Sequence, residues 1–393
     1  MNMGPEEAIH AETPVVESKS RLEQLAGDLL ARADIQIGGQ RPWDLQIHHA
    51  DFFSRVLSQG SLGLGESYQQ GWWDCGQIDA LIARMLSARL DREVRHRGLV
   101  WLALKARLSN PQSIRRAWQV GREHYDLGNT LFERMLGPSM AYSCGYWANA
   151  RTLDEAQAAK HDLVCRKLGL QPGMRLLDIG CGWGGLMRHA AEHYGAHCVG
   201  LTISREQAEF VRQRAQGLAI QVELIDYRRL GSESVQGFDR VASIGMFEHV
   251  GLKNYRSFFD AAVRHLAPDG LMLLHTIGKN RRGLGVDPWI EKYIFPNGSL
   301  PAIGEISDAA EAFFVIEDVH NFGADYDSTL MAWHDNFEKA WPSMQREYSP
   351  GFYRTWRYYL LVCAGTFRVR DNQLWQFVLS PRGRPGGYRR PLR

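Results

Sequence analysis

The chain has 393 residues, which is too long for one domain of ordinary size and predicts two or three units. Its 45% hydrophobic and 23% charged residues exclude a largely disordered protein, and no apolar run is long enough to cross a bilayer. The net charge of +2 conceals two basic segments: residues 89–122 hold nine Lys/Arg against two Asp/Glu, and residues 366–393 hold seven against one. Such segments attract polyanions, either phospholipid head groups or nucleic acid.

The six cysteines are widely spaced and include no C-x-x-C pair. This spacing argues against a disulfide scaffold and a zinc ribbon, and it predicts reduced thiols. The first twenty residues are polar and lack the apolar core of a signal peptide. Together these features predict a cytoplasmic protein.

The N-terminal part of the chain is predicted to be mainly helical. Residues 1–18 read as a disordered leader. Apolar residues at three- and four-residue spacing predict a helix over 22–33. Asp51 is expected to cap a second helix that ends at Gly60, and helical patterning continues over 72–90. The glycine-rich residues 60–65 are interpreted as a turn between helices. We therefore predict a small helical domain over residues 1–107 and a basic linker over 108–122.

From about residue 123, predicted strands and helices alternate. Thr152 and Glu155 form a capping-box pattern that opens a helix ending near Leu168. A helix over 254–266 is expected to end at Pro268-Asp269-Gly270. Short apolar runs predict strands over 174–179, 197–203, 222–225, 240–244 and 271–277, with late antiparallel edge strands over 313–321 and 375–380. This alternation predicts an α/β fold over 123–393, with helices on both faces of a parallel sheet.

Residues 178–185, DIGCGWGG, directly follow a predicted strand and precede a helix. Glycines at such a turn let the backbone approach a ligand whose polar groups meet free amides at the helix N-terminus. A nicotinamide site would require an acidic residue about twenty positions later, and residues 199–204 contain none. Asp178, just before the first glycine, instead fits the opening of a methyltransferase loop.

A second candidate site lies at two neighbouring strand ends. Glu248 and His249 follow one predicted strand and His275 ends the next, where ligands bind in open α/β sheets. The pattern from His189 to His193, H-x-x-E-H, matches an inverted zinc-protease motif, but on the helix after the glycine loop it is expected to hold no metal.

Longer motifs carry a family resemblance. They are SLGLGESYQQGWWD (61–74), EHYDLGN (123–129), YSCGYW (142–147), LLDIGCGWGG (176–185), GLTIS (200–204), GMFEHVG (245–251), LLHTIG (273–278), DPWIEKYIFPNG (287–298), NFGADYDSTLMAW (321–333) and CAGTFRVRDNQLWQ (363–376). In this order they resemble the cyclopropane-fatty-acyl-phospholipid synthases over nearly the whole chain.

The resemblance implies a doubly wound, seven-stranded S-adenosylmethionine methyltransferase (Rossmann-like) domain behind the helical domain, commonly in a homodimer. It implies transfer of a methylene from S-adenosyl-L-methionine to the cis double bond of an unsaturated phospholipid acyl chain, at the inner face of a membrane. The cofactor residues implied are Tyr142, Ser143, Asp178, Gly180, Cys181, Gly182, Gly184, Thr202, Ser204, Gln207, Tyr227 and Arg228. Those implied to hold a bicarbonate ion are Cys144, Glu248, His275, Ile277 and Tyr326. An active-site cysteine of the family falls on Cys363.

The chemistry of this reaction explains such a site. An isolated alkene has no proton to remove in advance, so it must be held in line with the sulfonium methyl. The resulting carbocation then loses a proton from the new methyl. Because substrate and cofactor crowd this carbon, the base should be small, and bicarbonate meets that requirement. Glu248 could relay the proton of the bicarbonate. A negatively charged Glu248 next to an anion would be unfavourable, so the two groups are expected to share a proton. Water must be excluded, and the aromatic-rich residues 283–304 are expected to cover an acyl tunnel.

Cys363 does not fit a nucleophile, because a thiolate beside a sulfonium would itself be methylated. It is therefore interpreted as a packed helix residue.

Three alternatives remain open from the sequence. The same scaffold can methylate another acceptor, such as an amine, or the chain can be a non-catalytic lipid-binding protein with a relic cofactor fold. A nucleic-acid methyltransferase is disfavoured because no base-reading element is evident.

Overall fold

The computed structural model describes residues 21–91, 129–230, 237–283 and 285–392. The predicted leader (1–18) and the predicted basic linker (108–122) lie outside these ranges.

The N-terminal region is mainly helical, as predicted. Its helices are α1 (Arg21–Ala31), α2 (Phe52–Gln59), α3 (Ser61–Gln69) and α4 (Ile78–Ser87), and a small antiparallel pair is formed by β1 (Gln46–Ile47) and β2 (Trp73–Asp74). Asp51 precedes α2 as expected, but its side chain makes no capping hydrogen bond.

The interpretation of residues 60–65 as a turn is wrong beyond Gly60. Gly60, with φ of 61°, is the single residue between α2 and α3, and the chain changes direction there. Helix α3 begins at the next residue. Gly63 and Gly65 lie inside this helix. Both positions require glycine because close neighbours leave no room for a side chain. A Cβ at Gly63 would lie 2.6 Å from the carbonyl oxygen of Arg55 in α2. The glycines serve packing between elements, which short-range patterning does not reveal.

Between residues 129 and 174, two helices lead to the main sheet, α5 (Asn129–Leu136) and α6 (Leu153–Leu168). The predicted capping box is confirmed at the start of α6. The Thr152 hydroxyl accepts from the Glu155 amide at 3.2 Å, and the Glu155 carboxylate accepts from the Thr152 amide at 3.2 Å. The helix ends at Leu168, where Gly169 adopts a left-handed conformation.

The sheet has seven strands among the described residues: β3 (Arg175–Ile179), β4 (His197–Thr202), β5 (Ile220–Leu224), β6 (Phe238–Ile244), β7 (Leu266–Lys279), β8 (Val315–Asn321) and β9 (Asn372–Ser380). Their order is β5-β4-β3-β6-β7-β9-β8, parallel from β5 to β7 and antiparallel at β9 and β8. Helices α7 (Gly185–Tyr194) and α8 (Arg205–Arg214) join α6 on one face, and α9 (Tyr255–His265) covers the other. The predicted doubly wound fold is confirmed.

Three details of the sheet differ from the sequence prediction. Strand β9 lies between β7 and β8, so it is an interior strand rather than an edge. Helix α9 ends at His265, and Pro268-Asp269-Gly270 lies within β7 at a register shift. His275 does not end β7, which continues to Lys279 alongside β9; it is instead the last residue paired with β6.

The remaining helices are α10 (Pro288–Tyr293), α11 (Ile303–Ala310), α12 (Asp325–Met344) and α13 (Phe352–Arg368). The apolar run before Arg368 lies in α13, and most of its residues are buried. Helix α13 packs against α12 and α4, and one continuous apolar core joins Phe52 and Trp73 to Trp333 and Trp356. The division of the chain at residue 107 stays a prediction. No helix within the described ranges is both long and apolar enough to span a membrane.

Candidate active site

A large cleft opens at the carboxyl ends of β3, β4 and β6, beside the glycine loop. It contains about 1390 Å³ of empty space, its open mouth included. Gly180 has φ of 83°, and a Cβ there would lie 2.6 Å from the Met246 side chain. The loop therefore needs glycine for both its conformation and its clearance.

Most of the residues predicted to bind the cofactor line this cleft: Tyr142, Ser143, Asp178, Gly180, Cys181, Gly182, Thr202, Gln207, Tyr227 and Arg228. Gly184 and Ser204 do not line it. Gly184 is the N-cap of α7, and the Ser204 hydroxyl caps α8 by accepting from the Gln207 amide at 3.3 Å. These two residues shape the helix termini beside the cleft.

Several lining side chains of the cleft are held by a hydrogen bond and an ion pair. The Thr202 hydroxyl lies 2.8 Å from Gln207 Oε1, and the Arg228 guanidinium lies 2.6 Å from the Asp226 carboxylate. Asp226 lines the cleft but was not predicted from the sequence. Its side chain also accepts from the Arg228 amide at 3.0 Å, which fixes the turn after β5.

Lys160 is a second lining residue that the sequence analysis missed. Its side chain is 1% exposed, and its ammonium donates to the Ser143 hydroxyl at 2.9 Å. Burial lowers the pKa of Lys160 to about 7 and raises that of Asp178 to about 7, each opposed by the other's charge. A signal was present: Lys160 falls on the apolar face of α6, four residues after Ala156 and three before Leu163.

Behind the cleft, a buried turn carries Glu248. The turn, Phe247–His249, follows β6, and Glu248 Oε1 accepts from the Ile277 amide of β7 at 2.6 Å. Oε2 is buried with no hydrogen-bond partner. Burial raises the pKa of Glu248 to about 7, although the bond from Ile277 opposes the shift. This carboxyl can therefore gain or lose a proton near neutral pH.

His275 and Tyr326 are two further buried ionisable groups of the predicted site. His275 is 1% exposed; its Nδ1 lies 3.2 Å from the Gln376 amide nitrogen, and its Nε2 has no partner. Burial, reinforced by the charge of Lys160, lowers the pKa of His275 well below its ordinary value. Burial raises the pKa of Tyr326 well above 10, so this residue keeps its proton.

The segment around Cys144 is hydrogen-bonded to helix α12. The Gly145 amide donates to the Thr329 hydroxyl at 3.0 Å, and the Trp147 amide donates to Asp325 at 2.7 Å. The Cys144 thiol donates to the Gly145 carbonyl at 3.1 Å, and burial raises its pKa well above 9. Cys144 is therefore a neutral thiol.

The cleft and the buried groups are adjacent but distinct. None of the predicted catalytic residues lines the cleft, yet Cys144 follows the lining residue Ser143, and Glu248 precedes the lining residue His249. Glu248 is 8% exposed, so little bulk water reaches its carboxyl. The Ile277 amide donates to Glu248, and, after burial, the neighbouring Cys144 and Glu248 both raise the pKa of Tyr326. We use the name inner pocket for this group of residues together with His275, two positions before Ile277 in β7.

Cys363 lies on α13, as expected for a helix residue, and is partly buried. Burial raises the pKa of Cys363 to about 12, which leaves it a thiol at neutral pH.

Residues 283–304, predicted as a cover, contain helix α10. Trp289 of this helix is 1% exposed and packs over Gly65, where a Cβ would lie 2.3 Å from the indole ring. Glu66 accepts from Lys292 at 2.6 Å and from the Tyr293 hydroxyl at 2.9 Å. The N-terminal helix α3 thus anchors a segment whose Pro296 and Asn297 line the cleft. Whether it covers an acyl tunnel stays a prediction.

No group of three or more His, Cys, Asp or Glu side chains within the described ranges is placed to hold a metal ion. His189 instead packs against His193, with ring centroids 4.5 Å apart, and against Tyr194.

Comparison with known proteins shows which family and which solved structures the chain is similar to. The profile of the family "Mycolic acid cyclopropane synthetase" matches residues 112–377. A cyclopropane-fatty-acyl-phospholipid synthase of Escherichia coli K12 is 53% identical over 367 residues, covering 93% of this chain and 95% of the relative.

Two solved structures are also similar. The cyclopropane synthase MmaA2 from Mycobacterium tuberculosis has a TM-score of 0.62 at 35% identity, covering 67% of this chain and 97% of that one. The mycolic acid cyclopropane synthase CmaA1, complexed with SAH and CTAB, has a TM-score of 0.62 at 37% identity with the same coverage.

Proposed function

The chain belongs to the mycolic acid cyclopropane synthetase family, and we propose that it cyclopropanates unsaturated acyl chains of phospholipids with S-adenosyl-L-methionine as methylene donor. The chain is an S-adenosylmethionine-dependent methyltransferase by family and fold. The observation that supports the proposal for the acceptor is the buried carboxyl of Glu248, with one oxygen unpartnered, beside the cofactor cleft, because a carbocation must form where water is excluded.

S-adenosylmethionine, when bound, supplies a methyl group on a positively charged sulfur. The glycine loop leaves the clearance for such a ligand, and the hydrogen bond from Lys160 to Ser143 holds two of the lining residues in place. The ion pair between Asp226 and Arg228 holds another part of the cleft lining in place. The neutral state of His249 suits this site, because burial lowers its pKa to about 4 and this lining residue therefore adds no further positive charge near the sulfonium.

The inner pocket fits a small anion by its own chemistry. Buried polar atoms are almost always hydrogen-bonded, yet Glu248 Oε2 and His275 Nε2 both lack partners. We therefore propose that Cys144, Glu248, His275, Ile277 and Tyr326 hold bicarbonate, with Glu248 sharing a proton with it. Bicarbonate, when bound, supplies a small base. A pKa of about 7 lets Glu248 exchange that proton, while Tyr326 stays a hydrogen-bond donor.

The lipid changes in two steps. The alkene π electrons form a bond to the methyl carbon, and the bond from that carbon to sulfur breaks. A C–H bond of the new methyl then breaks; its electron pair closes the three-membered ring, and its proton would pass to the base that bicarbonate would supply in the inner pocket. The neutral thiol of Cys144 does not compete as a nucleophile, because its deprotonation is suppressed by burial.

A product assay tests this function. Vesicles of unsaturated phospholipid are incubated with methyl-labelled cofactor, and we expect the lipid to gain one CH₂ as its olefin signal disappears. Matched vesicles with saturated chains and the same head groups should gain no label. Label in the saturated lipid would indicate head-group methylation, and absence of cofactor binding in calorimetry would indicate a non-catalytic lipid-binding protein. Either result contradicts the proposal.

We also propose that the protein binds the membrane peripherally, at its inner face, through its basic segments. The segment 366–393 carries seven Lys/Arg against one Asp/Glu, a charge balance suited to anionic head groups. Sedimentation with anionic vesicles should weaken as salt rises, because screening shortens the range of these charges. Salt-independent sedimentation would contradict this part, and activity on vesicles free of RNA and DNA would exclude a nucleic-acid substrate. The homodimer stays a prediction.

A further inference from the structure

A row of three polar side chains crosses neighbouring strands behind the inner pocket. His275 of β7 pairs in register with Gln376 of β9, and Gln376 pairs with His320 of β8. Register partners on adjacent strands point to the same face of the sheet, so the three side chains lie side by side. Their exposures are 1% for His275, 0% for Gln376 and 8% for His320. Gln376 is not among the residues proposed to hold the cofactor or the anion.

The contact between Gln376 and His275 determines where the imidazole carries its hydrogen. The amide nitrogen of Gln376 lies 3.2 Å from His275 Nδ1. An amide nitrogen can only donate, so Nδ1 must accept. A neutral imidazole has a single N–H, which is then on Nε2. We propose that Gln376 is a positioning residue that holds His275 in the Nε2–H tautomer, with this donor available to an anion in the inner pocket.

The surroundings of the amide support this orientation. Gln376 Oε1 is buried without a partner, and reversing the amide would leave an NH₂ group there instead. A buried donor without an acceptor is rarer in native structures than an under-used carbonyl oxygen. On the β8 side, the Lys167 ammonium lies 3.2 Å from His320 Nδ1 and 3.8 Å from the Asp318 carboxylate. With Nδ1 accepting from this ammonium, a neutral His320 also carries its hydrogen on Nε2.

Water has little access to this row. The Phe322 ring lies 5.7 Å from the His275 ring and 5.0 Å from the His320 ring, measured between centroids. Because the imidazole is buried and neutral, the tautomer decides whether its free nitrogen attracts or repels an anion. An Nε2–H donates to an anion, whereas an Nε2 lone pair would repel it. The inference rests on the proposed anion site for its consequence, but its geometry concerns this chain alone.

The tautomer can be measured without turnover. Ring nitrogen-15 NMR of histidine-labelled protein, with the His275 signals assigned from their loss in His275→Asn, should show a neutral ring with its hydrogen on Nε2. In Gln376→Glu, a carboxylate replaces the amide donor, so the spectrum should show a hydrogen on Nδ1. A wild-type ring with its hydrogen on Nδ1 would overturn the inference, even if every Gln376 variant failed to fold.

A second measurement tests the consequence for the anion. Gln376→Met keeps the side-chain length but removes the donor, and we expect the bicarbonate concentration for half-maximal rate to rise about tenfold, typical of a weakened hydrogen bond to a charged group. The KM for the cofactor should not change. Gln373→Met is the matched control, since it removes another buried amide from β9, opposite Gly278 rather than His275.

The two measurements separate the possible failures. A wild-type rate that does not depend on bicarbonate would contradict the proposed anion site, while the NMR spectrum would still decide the role of Gln376. An Nδ1–H tautomer together with a bicarbonate-dependent rate would overturn this inference alone. A response of Gln376→Met equal to that of Gln373→Met would likewise show that Gln376 has only a structural role.

Discussion

The cofactor cleft and the inner pocket are adjacent, yet they are built in different ways. Much of the cleft comes from consecutive residues of the glycine loop, where backbone conformation and the absence of a Cβ create the space, as at Gly180. The inner pocket comes from side chains of distant elements, such as Glu248 after β6, His275 in β7 and Tyr326 in α12. A local motif can specify a shape, but the protonation of buried groups depends on everything packed around them.

The largest effect that would separate the two regions is expected from Glu248→Gln. The variant keeps the side-chain size and an acceptor for the Ile277 amide, but it cannot exchange a proton. We expect the turnover rate to fall by about 10²- to 10⁴-fold, the usual contribution of general acid–base catalysis, with cofactor affinity within about threefold of wild type. Kinetics on vesicles and calorimetry measure these two quantities.

Glu223→Gln is the control, since it changes an exposed carboxylate on β5. If Glu248→Gln kept more than about a tenth of the wild-type rate, the inner pocket would not perform the proton transfer assigned to it.

The same substitution should also affect stability in a pH-dependent way. The folded protein keeps the Glu248 proton up to a pKa of about 7, whereas the unfolded chain loses it near 4.5. Stability from this group is therefore fully present below about pH 4.5 and is lost as pH rises through about 7. Gln has no such loss, so from about pH 4 to pH 8 Glu248→Gln should gain about 3 kcal/mol in unfolding free energy relative to wild type.

Denaturant unfolding at both pH values measures this difference. A difference between the two proteins that stays constant with pH would mean that Glu248 has an ordinary pKa, and the contrast between the two regions would lose its electrostatic basis.

Gly180→Ala should disturb the cleft and spare the inner pocket. The new Cβ would lie 2.6 Å from Met246 at a φ of 83°, so the loop must shift. We expect the KM for the cofactor to rise about tenfold or more, since the loop contacts that ligand through its backbone.

Gly217→Ala separates backbone strain from this clash. Gly217 has a similar φ of 80° with no atom within 4 Å of the added Cβ, and it lies outside the cleft lining. The control should cost about 1 kcal/mol of stability with no change in KM. Equal KM values in the two variants would show that strain alone accounts for the effect.

The smallest effect is expected from Cys363→Ala. The thiol is neutral because burial raises its pKa to about 12, and the reaction as written needs no covalent intermediate. Turnover should stay within about twofold of wild type, with a modest loss of stability from the small cavity. A loss of turnover comparable to that of Glu248→Gln would place Cys363 in the chemistry and contradict this interpretation.

Much of the fold followed from signals that are local in the chain. The capping box at Thr152, the glycine loop after β3 and the alternation of strands and helices depend on residues a few positions apart, so they could be predicted without knowledge of packing. The glycine loop and the strand ends also indicated where a ligand lies, whereas lining residues outside them, such as Tyr142 and Arg228, were implied only by the family resemblance.

The tertiary structure alone decided the features that depend on distant partners. Position 65 has no room for a side chain because Trp289, more than 200 residues later, occupies the space above it. Lys160 is buried where α6 meets the segment that contains Ser143, and β9 is interior because β8 pairs on its far side. The raised pKa of Glu248 and the contact of Gln376 with His275 have the same origin. Burial and cross-strand neighbours are set by the packed whole, and no short stretch of sequence contains them.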